Sequence, residues 1–173
     1  MDALFGPHWQ PEVPDTSEPL HGWLTSQGSL TAKVKAACRE DFSVRVLCHE
    51  IVAASGPAAD ALQLAPAASV LYREVLLLDG DSPCVFAASI LPLSALTGRF
   101  APLRELGARP LGHWIFSEPQ LQRTQMRFAQ LPRQHSLFTR VPDTATLLPL
   151  LAGRKTHFSG AEKDFLVSEF FLF

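Results

Sequence analysis

Asparagine is missing from this chain, tyrosine occurs once, cysteine three times, and charged residues make up only 18%. Cys38, Cys48 and Cys84 are odd in number, widely spaced and without a CxxC pair. That excludes a disulfide framework and leaves reduced, mostly buried thiols as the expectation. No apolar run approaches the roughly 20 residues that a membrane-crossing helix needs, so no membrane insertion is expected. The N-terminus, Met1-Asp2-Ala3-Leu4-Phe5-Gly6-Pro7, has neither a basic nor an apolar leader region. Export by a signal peptide is therefore not expected, and a cytoplasmic location is. A net charge of −2 and a pI near 6.3 argue against a nucleic-acid partner held by phosphate neutralisation. GxSxG, GxGxxG and Walker A sequences are all missing, which removes support for a serine hydrolase, a dinucleotide enzyme or a P-loop NTPase. His49-Glu50 lacks the second histidine of an HExxH zinc site, and the six histidines have no ligand spacing, so no metal is expected.

What remains is 173 residues of which 47% are hydrophobic, enough for a single domain with a substantial core. Residues 1–20 carry Pro7, Pro11, Pro14 and Pro19 and read as an irregular surface arm, with the folded domain spanning 21–173. From His21 to Cys38 the apolar spacing is helical, interrupted at Gly28, with Ser29 as N-cap of the second piece. Ser43 to Cys48 alternates like a strand, and residues 53–69 read as a loop with at most one helical turn. Val70–Leu78 and Pro83–Leu91 flank Asp79-Gly80-Asp81-Ser82, the strongest hairpin signal in the chain. Short helical pieces follow at 94–96, 101–106 and 111–116. Then come a strand with one wet face at 121–130, a proline-punctuated stretch at 131–150, and a closing hairpin of Lys155–Ser159 and Phe165–Leu172 around Gly160-Ala161. The sum predicts an α+β domain, an antiparallel sheet with short helices on one side.

Two charges stand where a core strand should have none. Phe165–Phe173 is apolar on both faces, so it should be covered on both sides, yet Glu169 sits in the middle of one. Arg73 likewise shares a strand face with Leu71, Val75 and Leu77. A buried carboxylate or guanidinium costs several kcal/mol unless it is paired or meets a ligand. The pattern leaves two options: an Arg73–Glu169 ion pair that only links strands, or a closed pocket whose guanidinium holds an anionic substrate.

In order and spacing, several stretches resemble the chorismate pyruvate-lyase family, which makes 4-hydroxybenzoate for ubiquinone synthesis. They are Trp23-Leu24 with Ser29-Leu30-Thr31, Tyr72-Arg73-Glu74-Val75-Leu76-Leu77, the Asp-Gly hairpin, Pro92-Leu93-Ser94-Ala95-Leu96, Leu106-Gly107 with Pro110-Leu111-Gly112, and Gly153-Arg154-Lys155 through Ser168-Glu169-Phe170-Phe171-Leu172. The resemblance runs from about residue 22 to the end and is weak near 131–150. It implies a six-stranded antiparallel sheet with helices on one face acting as flaps over an enclosed site. It implies ligand roles for Arg73 and Glu169, apolar contacts from Leu30 and Leu111, and a backbone amide for the ligand carboxylate at Ala87. One departure is Ala88, where the family often has arginine, which would leave Arg73 as the sole carboxylate partner. The resemblance further implies a monomer with chorismate as substrate, 4-hydroxybenzoate as a slowly released product, and no cofactor. Glu169 would sit at the 4-hydroxyl and ether end, as acid, base or orienting group. The competing class is a non-catalytic effector-binding domain of the same fold from bacterial transcription regulators. Those normally follow a helix-turn-helix domain, for which residues 1–20 are too short.

Overall fold

The computed structural model describes residues 2–143, 148–160 and 163–173. Its organising unit is the expected hairpin, β2 (Ser69–Asp79) and β3 (Ser82–Pro92). Asp79 pairs with Ser82, so the connection contracts to Gly80-Asp81, and Gly80 adopts φ +56, a conformation glycine reaches without strain. The other strands are β1 (Phe42–Ala53), β4 (Gln122–Pro132), β5 (Leu150–Gly160) and β6 (Lys163–Phe171). They form one antiparallel sheet in the order β1-β2-β3-β6-β5-β4. The last hairpin therefore inserts beside β3, and β6 becomes a central strand, as its two apolar faces require.

Alternation sorts the strands into two faces, with one core on the first and two on the second, where Leu77, Val85 and Phe171 pack with Leu24, Leu30 and Val34. Tyr72, Leu76, Phe86, Ile90, Leu166 and Phe170 face one side, while Leu71, Leu91, Phe165 and Val167 face the other. The expected helices cover this second face. They are α2 (Glu18–Leu24), α3 (Leu30–Ala37), a 3₁₀ segment (Gly98–Glu105) and α5 (Leu111–Ser117). The first face is covered as well, by α1 (Asp2–Phe5), α4 (Gly56–Ala61) and a 3₁₀ turn (Ser136–Thr139). Among the described residues no helix is long and apolar enough to cross a membrane.

The N-terminal segment is not a surface arm. Leu4, Phe5 and Trp9 are buried in the first core, the Trp9 indole donates to the Leu4 carbonyl at 3.0 Å, and Gln10 forms a β-bridge with Phe128. Prolines forbid long elements here but not one helical turn or one bridge, and large apolar side chains still need cover. Residues 18–20 already belong to α2, where Pro19 occupies the first turn that tolerates proline. Two other boundaries move. β1 runs on to Ala53, and β5 begins at Leu150 rather than Lys155. Residues 144–147 of the proline-punctuated stretch, and Ala161 of the last turn, lie outside the described residues.

The packed N-terminal segment carries a pH dependence. His8 lies against Trp9 and His135, each at 5.1 Å between ring centres. Burial first, then the nearby His135 and Lys155 charges, lower its pKa to about 4. Its folded-state pKa is below the unfolded value near 6.5, so its contribution to stability is present above pH 6.5 and is lost as pH falls towards 4. Melting temperatures are expected to fall across that window, and His8→Phe is expected to flatten part of the fall.

Candidate functional site

The site is built on the second face of the sheet. Register places Arg154 of β5, Glu169 of β6 and Ala87 of β3 in one row, while Arg73 of β2 stands one row along, opposite Ser89. Above them, Leu30 and Thr31 open α3, and Leu111 and Gly112 open α5. Ser29 caps α3 as expected, its side chain accepting from the Ala32 amide at 3.3 Å. Between floor and helices lies a largely apolar cavity. All five residues singled out from the sequence (Leu30, Arg73, Ala87, Leu111 and Glu169) line it.

Arg73 is 3% exposed and has no acidic partner among the described residues. Its Nη2 donates to the carbonyls of Gly107 (2.7 Å) and Arg109 (3.1 Å), which tethers the turn leading into α5. Its Nε is buried with no partner among the described residues. Burial lowers its pKa to about 10, so it remains a cation at neutral pH. This is a charged donor held ready for an anion.

Glu169 does not pair with Arg73. Its carboxylate accepts from Nε of Arg154 at 2.6 Å, a buried ion pair between adjacent strands. Nη1 of Arg154 also donates to the carbonyls of Trp23, Leu24 and Ser26 at 3.3, 3.3 and 2.7 Å, which holds the turn between α2 and α3. Arg123 of β4 donates to the Ser26 and Gln27 carbonyls at 3.3 and 2.8 Å, and its guanidinium lies over the rings of Phe116 and Phe158. Its pKa is lowered by burial and by Arg154, against an opposing pull from Glu169.

Sequence reasoning missed Arg123 and Arg154. Even with β5 starting at Leu150, Arg154 does not meet the criterion that exposed Arg73, because Lys155 follows it and its same-face neighbours are Ala152 and the polar Thr156. Arg123 had no such signal, because its strand is wet on one face. Ala88 also borders the cavity, with its methyl packed in the first core opposite Glu74 and Ser168. Glu74 pairs with Arg140 at 2.5 Å and accepts from the Tyr72 hydroxyl. Arg73 is not the sole arginine there. Among the described residues three guanidiniums and one carboxylate line the cavity, an excess of two positive charges in a largely apolar setting. Among the described residues no three His, Cys, Asp or Glu side chains gather as a metal site.

The two helices over the cavity touch at Gly112. A Cβ there would lie 3.0 Å from Thr31 Oγ1 and 3.2 Å from Ser29 Oγ. Gly112→Val is therefore expected to wedge α5 from α3 and speed release of a bound ligand several-fold, measured by stopped-flow dissociation. An unchanged rate would mean that the contact does not close the site.

The chorismate lyase family model matches residues 8–173. The chain is 32% identical over 173 residues to a probable chorismate pyruvate-lyase of Nitrosospira multiformis, covering 99% of this chain and 96% of that protein. It is 36% identical over 173 residues to the one of Azoarcus sp., covering 96% and 91%, and 39% identical over 158 residues to that of Pseudoalteromonas translucida, covering 91% and 86%. Among solved structures, the effector domain of PhnF from Mycobacterium smegmatis superimposes with a TM-score of 0.60 at 19% identity, covering 84% of this chain and 89% of that one. A GntR-family transcriptional regulator from Bacillus cereus does so with a TM-score of 0.58 at 12% identity, covering 77% and 92%. At such identities these structures share the fold.

Proposed function

This chain belongs to the chorismate lyase family, and from that premise we infer that it eliminates pyruvate from chorismate to give 4-hydroxybenzoate, the aromatic precursor for ubiquinone synthesis. The single observation that carries this reading is the cavity beneath α3 and α5 with an excess of two positive charges, because chorismate is a dianion. Breaking the C3–O ether bond and removing the C4 proton aromatises the ring. The departing enolpyruvate takes up a proton to become pyruvate. Aromatisation supplies the driving force, so the protein needs to supply positioning and charge complementarity in a dry site.

Arg73 takes the ring carboxylate through its guanidinium fork. Leu30, Leu111 and Ala87 bound the planar ring. With the ring carboxylate on β2, the para 4-hydroxyl points across the sheet towards Glu169, which lies within the cavity at the end where the ether breaks. The same enclosure suits the flat aromatic product, so product release is the slow step. The protein works as a cytoplasmic monomer.

The deciding experiment mixes purified protein with chorismate, without metal or nucleotide, and follows products by chromatography. Equal amounts of 4-hydroxybenzoate and pyruvate are expected. Tight binding of 4-hydroxybenzoate without turnover would overturn the lyase reading in favour of a sensor that kept the pocket.

A further inference from the structure

We propose that Arg123 and Arg154 form a second carboxylate subsite that receives the enolpyruvyl carboxylate of the substrate, opposite the Arg73 subsite for the ring carboxylate. This deepens the lyase reading and rests on it.

The placement follows from sheet order. β2, which carries Arg73, and β5, which carries Arg154, are three strand spacings apart, about 14 Å. β6 with Glu169 lies between them, next to β5, and β4 with Arg123 lies beyond. All four charged side chains line the same cavity, so its two ends are cationic and its carboxylate sits nearer one of them. A ring anchored by its C1 carboxylate at Arg73 directs C4 towards Glu169. The ether on neighbouring C3 then carries its carboxylate to the β5–β4 end.

Two further observations make that end an anion site. Among the described residues Glu169 is the only acidic side chain lining the cavity, and one carboxylate cannot neutralise both Arg154 and Arg123. The Nε of Arg123 is buried with no partner among the described residues, as is the Nε of Arg73 at the other end. The same two arginines hold the carbonyls of residues 23–27, the turn that feeds α3 over the cavity. Binding at this subsite therefore also braces the α3 cover, just as Arg73 braces the approach to α5. Once the ether breaks, pyruvate leaves from this end, and the product that remains carries one carboxylate, at Arg73.

The test compares a ligand with the second carboxylate against one without it. For Arg123→Gln, kcat/KM for chorismate is expected to fall at least tenfold, carried by KM rather than kcat, while the Kd for 4-hydroxybenzoate stays within twofold. Arg123→Lys should recover part of the loss by restoring charge without the fork. An unchanged kcat/KM, or an equal loss of 4-hydroxybenzoate affinity, would overturn the subsite and assign Arg123 to the fold. Should the wild-type protein bind chorismate without converting it, the same comparison is made on dissociation constants, so that failure of the lyase reading and failure of the subsite are separate results. No binding of chorismate at all would overturn both.

Discussion

Arg73→Met is expected to remove nearly all turnover and yet cost the protein only about 2 kcal/mol of stability. The guanidinium is 3% exposed, has no acidic partner among the described residues and lines the cavity. Losing its contact to a desolvated carboxylate is worth about 2–5 kcal/mol, or roughly 30-fold to several thousand-fold in kcat/KM. In the free protein the balance differs. Methionine fills similar volume and removes a buried charge, a change that is typically neutral or stabilising by about 1–4 kcal/mol. Against this stands the loss of charged donors to the Gly107 and Arg109 carbonyls, about 1.5–3 kcal/mol each. The net loss is about 2 kcal/mol, and for a chain of this size 1 kcal/mol moves Tm by about 2–4 °C, so Tm should fall by less than about 10 °C. Steady-state kinetics and a thermal melt on one preparation check both halves. Turnover within threefold of wild type would remove Arg73 from the site, and a collapse in Tm would assign it to the fold.

Glu169→Gln should lose more stability, as well as turnover. It leaves Arg154, only 1% exposed, without its carboxylate, and breaking a buried pair from one side costs about 3–5 kcal/mol. The amide oxygen still accepts one hydrogen bond, so the lower end applies, and Tm should drop by about 6 °C or more. If Glu169 moves a proton during elimination, kcat falls by about 10²–10⁴, measured well below the lowered Tm. The double variant Arg154→Met/Glu169→Gln should regain part of the Tm, since the stranded charge is gone, and none of the turnover. Near-normal kcat in Glu169→Gln would reduce its role to orienting the ring.

These two side chains differ in how visible they were before folding. Arg73 and Glu169 both stood out because each interrupts an apolar strand face, a pattern read within about ten residues. Their partners did not stand out. Arg154 lies fifteen residues before Glu169, and it meets that carboxylate only because β5 and β6 pair in one register. Arg123 reaches the cavity from an edge strand whose alternation shows an ordinary wet face. The burial of Phe5 and Trp9 was hidden in the same way, since proline spacing describes local backbone options and not what the segment packs against.

The sequence alone determined the hairpins, the helix starts at Ser29 and Leu111, the presence of two costly buried charges, and the family resemblance that linked them to an anionic ring substrate. Alternation, capping and turn chemistry act over a few residues, and those features need nothing more. The tertiary structure decided that β6 lies between β3 and β5, that Glu169 is held by Arg154 and not by Arg73, and that the Ala88 methyl packs in the first core. It also decided that three guanidiniums converge on one enclosure. Those outcomes depend on which strands pair across long stretches of chain, and that choice is made by burying both faces of the sheet at once.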